Sequence, residues 1–215
     1  MMETIWKAGK SVGCELCGEY RSLAFTHVPV EGELVGRIMH VSWQPGKSIT
    51  LDKLRYLRIP HWTDVNGDVT LGEMICNAAV AEDLIDVFKI LFEHHYPIGK
   101  MRLVDEYGGD DDASMRDNNS SCFNHRSVQW SGNVLSKHAQ GLAVDINPLY
   151  NPLVRVRDGV MRVIPAEGLK YADRSVPSLY RIRSGDLVCR TFASHGFRWG
   201  GDWSSSKDYQ HFEKN

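Results

Sequence analysis

Two short stretches of this 215-residue chain carry side chains that could do chemistry together. In Ser136-Lys-His138-Ala-Gln-Gly-Leu-Ala-Val-Asp145-Ile-Asn-Pro148 a histidine precedes a glycine turn, and an aspartate lies in the apolar run that follows. Asp208-Tyr-Gln-His211-Phe-Glu213 supplies a second histidine, with one carboxylate three residues before it and another two residues after it. Two imidazoles and one carboxylate suit a divalent metal, and three protein ligands leave a position open for water, the arrangement of catalytic zinc. Taken singly the residues argue for less. A lone histidine near a chain end is more often an exposed side chain, and a lone aspartate more often caps a turn.

For these groups to meet, local elements must aim them. Along the run from Leu142 to Asn147, Leu142, Val144 and Ile146 alternate toward a core, so Ala143, Asp145 and Asn147 point the other way and Asp145 can face a cleft beside His138. By the same period His211 and Glu213 share one strand face, while Asp208 can approach from the preceding turn and reach a water instead of the metal. Apolar runs on either side of Asn66-Gly67 predict a two-stranded hairpin within residues 51–77. Val80, Leu84, Ile85, Val87, Phe88, Leu91 and Phe92 repeat at helical spacing and predict an amphipathic helix over 78–96, ended by Pro97. Residues 33–41 and 101–105 read as strands. The acidic stretch 106–119 reads as a long loop whose Asp110, Asp111 and Asp112 are a solvated run able to meet a cation or a basic group. Asp64, Asn66 and Asp68 alternate like the first ligands of a calcium loop, but the glycine and the closing Glu of such a loop are missing, which leaves a turn.

A composition of 42% hydrophobic and 24% charged residues is that of an ordinary globular domain. At this length a single core is large enough to fold without a metal or disulfide, so any metal would be functional. The 25 Lys and Arg against 27 Asp and Glu give a formal charge of -2, which is no polyanion-binding signature and argues against a nucleic-acid partner. Five cysteines cannot all pair internally. Cys14 and Cys17 form a lone CxxC with no second close pair among Cys76, Cys122 and Cys189, which reads as a disulfide or two free thiols and not as a zinc ribbon. No run is long enough to span a membrane, and the opening MMETIWKAGK lacks the apolar core of a secretory signal. The expected location is therefore cytoplasmic if the chain is complete as given, and periplasmic or extracellular if a signal was removed. With no repeat or linker to mark a boundary, residues 1–50 read as an N-terminal extension and 51–215 as one domain.

The pattern S-x-H-x-x-G-x-A-x-D in SKHAQGLAVDINP, followed by GFRWGGDWSSSKDYQHFE, resembles the paired signature of the M15 cell-wall peptidases, and the likeness runs over roughly residues 51 to 213. The resemblance implies an α+β domain of the hedgehog and D-Ala-D-Ala peptidase type, with a mainly antiparallel sheet carrying the ligands and helices packed on one side. It implies zinc bound by His138, Asp145 and His211, with Asp208 as the base that accepts a water proton. An arginine on a strand before the first zinc histidine would hold the substrate carbonyl. Arg126, in Ser121-Cys-Phe-Asn-His-Arg126, is the candidate and Arg116 its competitor. Trp199 and Trp203 of the WGGDW segment would wall the substrate cleft or pack the core, and Ser136 would orient the first ligand by a hydrogen bond. Zinc itself comes from the likeness, because two imidazoles and a carboxylate accept several divalent ions. The implied substrate is the stem peptide of peptidoglycan, cut as by an L-Ala-D-Glu endopeptidase or a D-Ala-D-Ala carboxypeptidase. The alternative is a non-catalytic zinc-containing module that binds the cell wall, since hedgehog relatives keep the zinc without an evident peptidase role.

Overall fold

The structure is a computed structural model that describes residues 6–16, 18–64, 67–127 and 134–215. The chain alternates helices and antiparallel strands in an α+β arrangement: α1 (Gly18–Leu23), β1 (Thr26–Pro29), α2 (Glu33–Ile38), β2 (Leu54–Trp62), β3 (Val69–Asn77), α3 (Ala81–Glu93), α4 (Asp111–Arg116), β4 (Ala143–Asp145), β5 (Leu153–Arg157), β6 (Val160–Ile164), α5 (Leu169–Ala172), α6 (Leu187–Ser194), β7 (Arg198–Trp199), β8 (Lys207–Asp208) and β9 (His211–Glu213). In place of the one sheet expected, the strands divide into three antiparallel sheets of three, ordered β1-β2-β3, β4-β9-β7 and β6-β5-β8. Among the described residues no helix is long and apolar enough to cross a membrane.

The hairpin and the main helix follow their patterns. β2 and β3 pair in unbroken register from Leu54↔Asn77 to Trp62↔Val69, while Asn66 of the expected turn lies outside the described residues. Leu84, Val87, Phe88 and Leu91 of α3 are buried against Leu57, Ile59 and Met74 of that hairpin. Each such side chain contributes about 1.5–3 kcal/mol in burial. The helix stops at Glu93 and not at Tyr96, because His95 takes a left-handed φ of 53° and the residue before Pro97 is kept out of helical geometry. Phe88, Phe192 of α6 and Phe212 of β9 continue the core, the last two stacked with centroids 4.1 Å apart. The main hairpin and the β4-β9-β7 sheet thereby share one apolar interior.

Three local expectations give way to tertiary contacts. Residues 33–38 form helix α2 and not a strand. Helical spacing turns Leu34, Val35 and Ile38 together onto Val30, Leu54, Tyr56 and Phe123, and frees Arg37 to pair with the buried Glu73. Residues 101–103 are extended but lie outside any named strand, since the Asn119 side chain takes the place of a partner strand by bonding both N and O of Arg102. The acidic loop holds α4, whose N-cap is Asp110: its carboxylate accepts from Ala113 N at 3.0 Å. N-terminal residues run along the hairpin, with Gly9 N donating to Leu71 O and β1 paired to β2. Cys14 is exposed, and its CxxC companion Cys17 lies outside the described residues.

A stretch of extended chain after α4 ties the main hairpin to the smaller sheet. Phe123 N donates to Ile75 O of β3, Ser121 exchanges both backbone bonds with Asp145 of β4, and Asn124 N donates to His138 O. Residues 121–124 are thus held from both sides, which sets the depth of the site described next.

Candidate active site

His138 sits in a short turn, Lys137–Gln140, that Ser136 caps by accepting His138 N at 3.3 Å. Gly141 closes the turn with φ +65°, and a Cβ there would stand 2.6 Å from Asn77 N, so only glycine lets the turn lie against the end of β3. β4 then carries Asp145 into direct register with His211 on β9. A second close approach seats the other end of the site: a Cβ on Gly200 would fall 2.7 Å from the Asp208 carbonyl, so the glycine admits β8 next to the Gly200–Asp202 turn.

The three expected ligands converge. His138 Nε2 lies 3.3 Å from Asp145 Oδ2 and 3.3 Å from His211 Nδ1, which in turn is 3.1 Å from Asp145 Oδ1. One donor atom from each lies within 4.8 Å of the others, and all three side chains are buried. Their outer nitrogens are spoken for. His138 Nδ1 is 2.6 Å from the carbonyl oxygen of Cys122, which can only accept, so that nitrogen carries a proton. His211 Nε2 faces Glu213 Oε2 at 3.4 Å and donates there by the same reasoning. Once the inner nitrogens are free of protons, two lone pairs and the Asp145 carboxylate face one point, which a cation can occupy in place of a proton. That donor set fits a divalent cation, with the Cys122 carbonyl and Glu213 fixing ring orientation.

Charge in the site follows from this geometry. Burial would raise the Asp145 carboxyl, but the two imidazoles outweigh it and hold it far below the usual carboxylate range. Burial would lower His211; its bonds to Asp145 and Glu213 win and lift it to about 10. Asp208 is different: burial, with the Asp145 charge adding to it, pushes its carboxyl up to about 6 against the pull of the imidazoles. Its Oδ1 is buried and makes no hydrogen bond. A carboxylate in that state, in the same cavity as the metal donors, can take up and release a proton.

The cavity measures about 400 Å³, and Asp208, Arg126, Trp203 and Gln210 line it with the three donors. Of the two candidate arginines, Arg126 is at this cavity, its Nε 2.9 Å from Asp111 Oδ2, whereas Arg116 points to Glu167 at 3.8 Å and is not among the lining residues. Trp203 lines the cavity with its ring 5.2 Å from that of His211. Trp199 turns inward, stacked on Phe212 with Nε1 donating to Tyr209 O. Ser136 bonds the His138 backbone, and the ring is oriented by the Cys122 carbonyl. That carbonyl carries no motif signal, whereas Asp111 belongs to the acidic run able to meet a basic group, here Arg126. The His-x-Glu spacing on a strand was the available sign that Glu213 would back His211.

Residues 129–214 match a family model described as D-alanyl-D-alanine carboxypeptidase, within the M15 peptidases. No curated protein and no solved structure matches the chain. The matched span includes His138, Asp145, Asp208 and His211, while Asp111 and Arg126 precede it. The stretch that brings three metal-ligating side chains and the orphaned Asp208 Oδ1 into one cavity is therefore similar to the M15 peptidases over its matched residues.

Proposed function

We propose that the protein is a zinc-dependent peptidase that cuts peptidoglycan stem peptides in the periplasm or outside the cell, with residues 51–215 as the peptidase domain of hedgehog and D-Ala-D-Ala peptidase type and residues 1–50 as an extension on it. The observation that carries this reading is the pairing of three converging metal donors with the orphaned Asp208 Oδ1 in one cavity. His138, Asp145 and His211 would hold the zinc, which when bound supplies a Lewis acid for a carbonyl oxygen and lowers the pKa of water. Asp208 accepts the proton of the attacking water as its oxygen bonds to the peptide carbon, and returns that proton to the amine nitrogen as the C–N bond breaks. The Arg126 guanidinium, steadied by Asp111, donates to the carbonyl oxygen as it gains negative charge. Trp203 gives the substrate backbone a flat wall beside His211.

The matched family description supports cleavage as a D-Ala-D-Ala carboxypeptidase, and the WGGDW segment with Asp208 supports an L-Ala-D-Glu endopeptidase. Mass spectrometry of defined muropeptides incubated with zinc-loaded protein decides the matter. Loss of one terminal alanine identifies the carboxypeptidase, and separation of the first alanine from the glutamate identifies the endopeptidase. Either product must vanish with a chelator. Absence of any cleavage would replace the enzyme with a zinc-containing wall-binding module.

A further inference from the structure

The face of the main hairpin turned away from α3 carries a set of charges that the metal centre does not use. Leu57 and Ile59 of β2 belong to the core beneath α3, so by strand period Tyr56 and Arg58 project from the other face. Glu73 of β3 stands directly across from Arg58 and shares that face. Its charge is already matched by another group. Arg37 of α2 donates to both of its carboxylate oxygens, at 2.8 and 2.5 Å, and the Tyr56 hydroxyl donates to Oε2 at 2.7 Å. Glu106 lies 3.5 Å from Arg37 and 2.9 Å from Arg102. Two guanidiniums thus balance two carboxylates, and Arg58 remains unmatched. It is half-buried, its Nε is buried without a hydrogen-bond partner, and among the described residues none forms an ion pair with it.

These groups line a hollow of about 1140 Å³ that shares no lining residue with the metal cavity. The N-terminal residues build one of its walls. Gly9 N and Val12 N donate to Leu71 O and Val69 O of β3, and the buried Trp6 donates its Nε1 to Gly72 O. Gly9, at φ +79°, has no Cβ to collide with the Arg102 guanidinium. Leu34 and Arg37 of α2 form another wall. Glu31 and Glu33 line the hollow from exposed positions, and among the described residues their carboxylates have no partner. A buried guanidinium N–H without an acceptor costs stability. A ligand carboxylate on the Arg58 fork would supply the acceptor, and an ammonium on the same ligand would face Glu31 and Glu33. Sites for single small molecules measure about 300–1,000 Å³, so the volume suits a ligand of several residues.

We infer that this hollow is a second binding site, for a short zwitterionic peptide whose carboxylate is held by Arg58 and whose amine is held by Glu31 and Glu33. The site gives the N-terminal residues a part to play, as one of its walls, and it stands independently of the peptidase reading.

The probe is trialanine, titrated by calorimetry into the zinc-loaded full-length Asp208→Asn protein beside its C-terminal amide and its N-acetyl form. Trialanine should bind about 10- to 100-fold more tightly than the amide, the worth of a charge-assisted hydrogen bond. It should bind roughly two- to fivefold more tightly than the N-acetyl form, a smaller ratio because the two glutamates are exposed and screened. Adding Arg58→Gln should bring acid and amide close to equal. Glu31→Lys with Glu33→Lys, at exposed positions where folding is not at stake, should reverse the second preference so that the N-acetyl form binds better. A damaged fold or a peptide seated at the metal would not produce that reversal. In the zinc-loaded wild-type background Arg58→Gln should leave muropeptide cleavage unchanged. Equal binding of acid and amide, a preference that survives Arg58→Gln, or no response to the two lysines overturns the site. A fall in cleavage that tracks the lost binding also overturns it, by assigning Arg58 to the metal cleft.

Discussion

On one side of the cleft His138, Asp145 and His211 are buried, and each is fixed through a second contact: the Cys122 carbonyl, the Ser121 backbone and Glu213 respectively. Across from them the groups are looser. Arg126 is held through an ion pair to Asp111 of α4, and Trp203 is half-buried beside His211. Metal ligands must keep their geometry to a fraction of an ångström, which a packed interior with satisfied hydrogen bonds supplies. Groups that recognise a substrate must meet it from solvent and can afford adjustment. The cleft thus joins a buried chemical wall to a more exposed recognising one, and substitutions on the two walls should fail in different ways.

The largest effect belongs to the buried wall. His138→Ala or His211→Ala should release the metal and cut peptide cleavage by about a thousandfold or more, read by metal analysis alongside turnover. Retention of stoichiometric zinc by either variant would break the proposed ligand set. Asp208→Ala, at the junction of the walls, should keep the zinc and lower kcat by roughly a hundredfold to ten-thousandfold. Full activity there would remove Asp208 as the base. On the recognising wall, Arg126→Ala should cost about a hundredfold in kcat, while Arg116→Ala, which does not line the cavity and faces Glu167, should change little. The reverse order would give the role to Arg116.

The smallest effect is one of pH on stability. In the metal-free protein His211 is lifted to about 10 because its bonds to Asp145 and Glu213 outweigh burial. A folded value above the unfolded one of about 6.5 stabilises fully below that unfolded value, and the contribution is lost as the pH rises through about 10. Urea midpoints of the chelated protein should therefore fall over that alkaline range more than those of the zinc-loaded protein, whose ligand imidazoles are already neutral. His211→Gln should erase the difference between the two curves, apart from the lost metal. If the chelated and loaded proteins decline in parallel, the proton on His211 is not what the buried wall holds in place of the cation.

Much of the buried wall was legible in the chain. A histidine, a glycine turn and an alternating run that carries an aspartate already allow Asp145 to face a cleft beside His138, because strand period and turn chemistry are local. The β2–β3 hairpin and α3 were legible for the same reason, their apolar spacing being longer than any ambiguity between strand and helix. Residues 33–41 were not, since a short apolar run fits both periods and only the waiting surface of Leu54, Tyr56 and Phe123 selects the helix. Local pattern could not pair Asp145 with His211 across 66 residues, choose Arg126 over Arg116, or turn Trp203 to the cleft and Trp199 to the core. Those outcomes depend on register and on which backbones approach closely enough for contact, as Gly141 and Gly200 permit, and such contacts exist only once distant segments have packed.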